Sequence, residues 1–354
     1  MAAPGYRPRF VPKVDPATGP VTVKLERQAL AKLGPKSKLT GEVVDPQGQP
    51  VRQARVDFEG VYNEGGGGSF GAIEGVDPLT VTDAKGEFVL TSEKPFSSLS
   101  VTVEARGLAR QRFPQLESGR RHELRLAKGN AVTGRLVLGS RPVPSATVGL
   151  VGVDRSMERS IGDYAVTSDQ QGRFLFPNLP AGKACFVYSL MRQAPMNGGV
   201  APIQKFTTGA DGATTDLGDL VIRPAFRLTG RVVLSDGKPL PPGIRAMLGR
   251  EEAWDTLPNV DLAADGSFAF QGVPPESVGL SVNVPAYRLS LRNPSLDRLN
   301  GFSIIGRVSG DLEHLVILQE PGQFKHDWNR PSSPDDQPRD KPLRGLPPDQ
   351  LPRP

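Results

Sequence analysis

The sequence has one cysteine, Cys185, so no intramolecular disulfide can staple the fold. It has only three histidines, His122, His314 and His326. A zinc peptidase holds its metal with two His and a Glu, and the spacing for that fails. Arg125, Ile317 and Asn329 stand three residues after the histidines, and Leu126 stands where His122-Glu123 would need its second His. No stretch approaches ~18 consecutive apolar residues, which excludes a transmembrane helix. The N-terminal MAAPGYRPRFVPK lacks the apolar centre of a signal peptide. No basic run is interleaved with aromatics, so nucleic acid is not an expected partner.

Glycine and proline are plentiful instead, at 40 and 35 of 354 residues, without a collagen period. Such a content predicts many turns and no long helices. The net charge of +5 is uneven: residues 1–38 hold eight Lys/Arg against Asp15 and Glu26, and read as a solvated basic arm.

One unit occurs three times. Leu39-Thr-Gly-Glu-Val-Val44 returns as Val132-Thr-Gly-Arg-Leu-Val137 and as Leu228-Thr-Gly-Arg-Val-Val233. A second motif follows in each copy: Asp83-Ala-Lys-Gly86-Glu-Phe88, Asp169-Gln-Gln-Gly172-Arg-Phe174, and a form read as shortened, Asp265-Gly266-Ser-Phe268. Alternating runs such as Leu99–Val103, Ala184–Tyr188 and Leu280–Val284 come next. Their period of two is that of half-buried strands, with Val101 and Val103 inward and Thr102 outward. About seven strands per copy, separated by Gly/Pro/Asp turns, predict three tandem antiparallel seven-stranded β-sandwiches, all-β throughout.

The copies divide the chain into 39–129, 130–225 and 226–322. Residues 1–38 read as the end of a further, partial repeat plus a short helical linker at 26–37. This suggests a chain incomplete at its N-terminus. Residues 323–354 carry eight prolines and few apolar residues, and read as a disordered or extended tail.

The unit LTGEVVDPQGQPVRQARV, then TDAKGEFVL, resembles the carboxypeptidase regulatory-like domain, a transthyretin-like (prealbumin-like) sandwich grouped with carbohydrate-binding-like folds. The resemblance covers residues 39 to about 322 in three copies. It departs at Ala264-Asp265-Gly266 and at the extra segment Asn293–Gly301. It implies an accessory or tandem module of bacterial envelope and surface proteins, with no catalytic residue in the sandwich and an extracytoplasmic location.

Two catalytic patterns coincide in Gly65–Gly71, Gly-x-Ser-x-Gly around Ser69 and Gly-x-Gly-x-x-Gly. Each needs a helix after it, and Ala72–Pro78 is not one, so the run reads as a flexible loop. Asp83, Asp169 and Asp265 do not form a shared calcium site, because Arg173 replaces Glu87 between copies. With Gly86, Gly172 and Gly266 they read as turns in which the carboxylate accepts local N–H groups. The non-repeating loops remain: Glu59–Glu64, Asp154–Tyr164 and Arg250–Asp255. Each places an aromatic beside polar groups, so Tyr62, Asn63, Asp163, Tyr164, Trp254 and Asp255 are the candidate ligand contacts. Against that stands the reading that the aromatics fold over the core. The expected function is a non-enzymatic surface scaffold and spacer with a protein or glycan partner and no metal or cofactor. A glycan-binding module, or the accessory region of a larger peptidase, transporter or sensor, are the alternatives.

Overall fold

The computed structural model describes the chain except for residues 15–18, 63–67, 155–160, 162, 251, 254, 291, 294–298, 301–302, 323–341 and 348–354. Strands dominate it, joined by the turns that glycine and proline impose. The first repeat holds β1 (Lys38–Val44), β2 (Arg55–Tyr62), β3 (Gly68–Phe70), β4 (Leu79–Val81), β5 (Glu87–Thr91), β6 (Ser98–Glu104), β7 (Gln111–Glu117) and β8 (Arg121–Arg125). The second holds β9 (Asn130–Leu138), β10 (Arg141–Pro142), β11 (Thr147–Gly152), β12 (Asp163–Thr167), β13 (Arg173–Leu179), β14 (Ala184–Ser189), β15 (Gln204–Thr207) and β16 (Thr214–Val221). The third holds β17 (Phe226–Leu234), β18 (Arg245–Arg250), β19 (Val260–Asp261), β20 (Ser267–Val273), β21 (Ser277–Val282), β22 (Tyr287–Leu289), β23 (Leu299–Asn300), β24 (Ser303–Arg307) and β25 (Leu312–Pro321).

Each set makes two sheets around one core. Sheet β5-β1-β8 and sheet β3-β2-β6-β7, with β4 on β2, enclose Leu39, Val43, Phe88, Leu90, Val101, Val103 and Leu124. Sheet β10-β9-β13, with β16 on β9, and sheet β12-β11-β14-β15 enclose Val132, Leu136, Leu150, Phe174, Phe176 and Val187. Sheets β20-β17-β25-β22 and β19-β18-β21-β24-β23 enclose Leu228, Val232, Leu248, Phe268, Leu280, Ile304 and Ile317. The excess over seven strands per repeat comes from two- and three-residue pieces such as β3, β10, β19 and β23. Among the described strands, pairing is antiparallel except that β1·β8, β9·β16 and β17·β25 run parallel. Alternation shows which face a residue takes and is silent about the direction of the neighbouring strand.

The two repeated motifs are one contact. A Cβ on Gly134 would lie 2.5 Å from the Phe174 ring, and one on Gly230 would lie 2.6 Å from the Phe268 ring. Gly41 meets Phe88 in the same way and also the carbonyl of His122. The phenyl ring fills the space left by the missing side chain, on the strand pairs β1·β5, β9·β13 and β17·β20.

The Asp–Gly turns have the same length in all three copies, which corrects the shortened form read for the third. Gly86 N–H donates to Asp83 O (3.1 Å), Gly172 N–H to Asp169 O (2.9 Å), and Gly266 N–H to Ala263 O (2.8 Å). Ala263 therefore stands where Asp83 and Asp169 stand, and Asp265 has moved two residues along. Gly86, Gly172 and Gly266 have φ of +75°, +72° and +81°, the left-handed region where a Cβ is strained. One residue before each Asp turn, Thr82 donates to Val51 O (2.6 Å) and accepts from Ala54 N–H (2.8 Å); Ser168 does the same with Val143 O (2.8 Å) and Ala146 N–H (3.0 Å).

Two strand readings change. Thr102 is buried (4%), because Glu59, ion-paired to Arg112 at 2.6 Å, covers the outer face of β6 and takes its hydroxyl. Within the run Ala184–Tyr188 the stretch Cys185–Tyr188 is buried on both faces: Cys185 and Val187 enter the core, while Phe186 and Tyr188 form a second cluster with Val151 and Ala253.

At the N-terminus, Arg7 N–H donates to Glu26 O (2.8 Å) and Gln28 N–H to Gly5 O (3.0 Å). The same pair of bonds closes the first sandwich, from Ala109 to Ala127 (2.9 Å) and from Gly129 to Gly107 (3.1 Å). Phe10 stands 88% exposed. The helical linker amounts to two 3-10 turns, Leu30–Lys32 and Pro35–Ser37. The tail reading is corrected at 342–347, where the chain returns to the third sandwich and buries Leu343 in its core. Most of the tail lies outside the described residues.

Candidate functional site

The candidate loop residues do not share one surface. Tyr62 ends β2, half-buried, with its ring edge-on to Phe70 at 5.6 Å. Asn63 and Trp254 lie outside the described residues. Asp163 opens β12 opposite Val151. Tyr164 follows it, packed against the second core, and Asp255 is 4% exposed. The sequence left these groups either as ligand contacts on loops or folded over the core; the fold brings Tyr164 and Asp255 to two joints between sandwiches.

At the first joint Asn178 reaches across. Its carbonyl accepts the Arg110 N–H (2.9 Å) and its Oδ1 the Gly107 N–H (3.2 Å). Asn178 has φ +60°, a conformation Asn tolerates better than most residues. The Arg110 guanidinium lies over the Tyr164 ring at 5.4 Å, within cation–π range. Burial pushes the Tyr164 phenol up to about 12.

The second joint is built around Arg250, whose side chain is 0% exposed at the end of β18. Its Nε sits 2.9 Å from Glu276 Oε1 and 3.5 Å from Asp255 Oδ2, its Nη2 donates to Ala201 O (3.2 Å), and its guanidinium lies over the Tyr188 ring at 5.2 Å. Both carboxylates reach back into the second sandwich. Asp255 Oδ2 accepts the Met191 N–H (2.9 Å), and Glu276 Oε2 accepts the Ile203 N–H (2.8 Å). Burial pushes both carboxyls up and the guanidinium down, against their mutual attraction. Around the triad, Met191 and Ala194 of the short helical segment after β14 enter the third core. Ala253 packs on Phe186 and Tyr188.

This arrangement fixes geometry. The guanidinium and the two carboxylates lie against one another, and each carboxylate also takes one backbone N–H, while Arg250 Nη1 has no hydrogen-bond partner among the described residues. Sequence reasoning missed Arg250, Glu276, Asn178 and the Met191 segment. The unbroken apolar run Ala184–Tyr188 was the available signal, because a strand buried on both faces needs a second partner. The three turn aspartates are local. Asp83 Oδ1 accepts from Lys85 (2.8 Å) and Glu87 (2.9 Å), Asp169 Oδ1 from Gln171 (2.9 Å) and Arg173 (2.8 Å), and Asp265 Oδ1 from Ser267 (3.0 Å). Ser69 lies inside strand β3, opposite Val61, which is not the strand-to-helix turn of a nucleophile elbow. Among the described residues, no three His, Cys, Asp or Glu side chains group to hold a metal ion. Nor is any described helix long and apolar enough to cross a membrane.

A hollow of about 630 Å³ opens on the third sandwich, lined by Arg245, Asn259, Asn283, Tyr287, Arg288 and Gln319 among others. Arg245 is paired with Asp261 (2.8 Å) and Arg288 with Glu320 (2.7 Å), while the Tyr287 hydroxyl donates to Asp236 (2.9 Å).

No family model matches the chain, and no curated protein matches it. Among solved structures, a streptococcal ancillary pilin is similar at 11% identity and TM-score 0.27, over 80% of this chain and 99% of its own. BcpA, the major pilin subunit of Bacillus cereus, is similar at 8% identity and TM-score 0.20, over 81% and 99%. The Bacillus anthracis TIE protein is similar at 14% identity and TM-score 0.21, over 81% of this chain; the chain spans about half of that protein, 50%. At these TM-scores the likenesses say nothing about function, and the fold stands on the chain's own strands and sheets.

Proposed function

We propose that the chain is a non-enzymatic scaffold of three carboxypeptidase regulatory-like modules, 39–129, 130–225 and 226–322, that works as a spacer outside the cytoplasm. The observation that carries this reading is the joint at Arg250. A buried arginine, one buried and one partly buried carboxylate and two backbone N–H groups hold neighbouring sandwiches in one relation. Flexible beads would not need such bonds, since inter-domain motion is the default where contacts are few and polar. The extracytoplasmic location follows from the sequence resemblance, and fractionation of the source cells tests it. Spin labels at the exposed Lys205 and Gln271 test the scaffold. A single narrow distance is expected, and a broad distribution would overturn the fixed joint.

A second reading is favoured by the hollow on the third sandwich. Its Asn259 and Asn283 amides and the Tyr287 ring are groups that hold a sugar. Glycan titration followed by Asn283→Ala distinguishes it: saturable binding lost in the variant supports a glycan module, and no binding by any glycan leaves the scaffold alone.

A further inference from the structure

The tail segment Pro342–Leu346 occupies a groove on the third sandwich that is shaped for it. Pro342 bridges Arg307 in parallel, and Leu343 N–H donates to the Arg307 carbonyl (2.8 Å). Leu346 N–H donates to the His314 carbonyl (3.1 Å). The His314 carbonyl is presented by a bulge: Leu228 and Gly230 of β17 face Leu312 and Leu315 of β25, one residue too many, and His314 takes φ +59°. The Leu343 side chain is buried (7%) in the third core. Two glycines make the fit. A Cβ on Gly306 would lie 2.6 Å from the Leu343 side chain, and one on Gly345 would strike the Glu313 carbonyl. Backbone bonds, a leucine socket and flanking prolines are the marks of recognition of an extended peptide. The prolines of Pro342-Leu-Arg-Gly-Leu-Pro347 also lower the entropy lost on docking.

We infer that this groove is a peptide-docking site for the Pro342–Leu346 segment, and that the segment docks into the groove of a second copy as well as its own, linking chains tail to sandwich. The 19 residues 323–341 span at most about 65 Å, enough to reach a neighbour. A segment on the same chain competes at an effective concentration of up to roughly millimolar, so dilute wild-type chains close on themselves. Exchange dominates where copies are held close together.

Two variants separate the halves of the contact. Gly345→Ala disables the tail and leaves the groove open; Gly306→Val fills the groove and leaves the tail intact. Each alone is expected to be monomeric by light scattering. Mixed, they are expected to form a 1:1 heterodimer. A fluorescent peptide of residues 341–348 is expected to bind Gly345→Ala saturably at 1:1, and Gly306→Val at least tenfold more weakly. Leu343→Asp and Gly306→Ala replace either variant should it misfold. No peptide binding to the open groove would overturn the site. Peptide binding without a heterodimer would overturn docking between copies, as would dimers of either variant alone.

Discussion

Replacing Arg250 with Met is the perturbation to which the second joint is most sensitive. The side chain is fully enclosed, and both of its carboxylate partners are buried or nearly so. Removing one member of such a buried network leaves uncompensated charge and costs about 3–5 kcal/mol. The bond to Ala201 and the contact with Tyr188 are lost with it. For a repeat of this size, a loss of about 3 kcal/mol corresponds to a fall on the order of 12–24 °C in the midpoint of the affected transition. Calorimetry is the assay, and a third-sandwich transition splitting away to lower temperature is the expected trace. The sign with pH follows from the carboxyls. Burial already raises Asp255 and Glu276 in the folded state, and loss of the guanidinium raises them further. The folded variant then holds protons that the unfolded chain has released above about pH 4. Its stability falls as pH rises from there, so the deficit at pH 5 is smaller than at pH 7.5. Adding Asp255→Asn and Glu276→Gln should recover much of the loss, because the buried charge is gone. A deficit under about 1 kcal/mol at neutral pH, or one equal at both pH values, would refute the reasoning.

Other outcomes follow from single contacts. Asp83→Ala and Asp169→Ala should each cost about 1 kcal/mol in urea unfolding, and Asp265→Ala less, since Asp265 accepts one N–H where the others accept two. Gly134→Ala should cost about 1–3 kcal/mol by overpacking, and Phe174→Leu in the same chain should relieve part of it. Burial pushes the Cys185 thiol up to about 12, so the native protein should resist a thiol reagent at pH 8 and react at the rate of unfolding. The Tyr164 phenol, also at about 12, stays protonated in the folded chain after an unfolded tyrosine has ionised near pH 10; stability should fall between about pH 10 and 12, and less so in Tyr164→Phe.

Much of the fold was legible because the repeats are physical contacts. The glycines of Leu39–Val44, Val132–Val137 and Leu228–Val233 recur with Phe88, Phe174 and Phe268 because each pair fills one space. The candidate site was legible only in part. Tyr164 and Asp255 were found as polar-aromatic loop positions, but their role depends on a neighbouring sandwich, and no local period encodes that neighbour. Arg250 read as the first residue of a non-repeating loop. Its burial is decided by Tyr188, some sixty residues earlier. The tail escaped composition for a similar reason: two leucines among prolines say little until Gly306 leaves room for one of them.

The parallel pairing of first and last strands decides how each sandwich meets a pulling force. Force enters at the start of β1 and leaves at the end of β8, and the two strands lie side by side in register from Thr40·Arg121 to Val44·Arg125. Tension along the chain therefore slides one strand past the other and loads their hydrogen bonds together, where an antiparallel terminal pair would open them one at a time. β9·β16 and β17·β25 repeat the arrangement, so every sandwich in the string is closed by a clamp that works in shear.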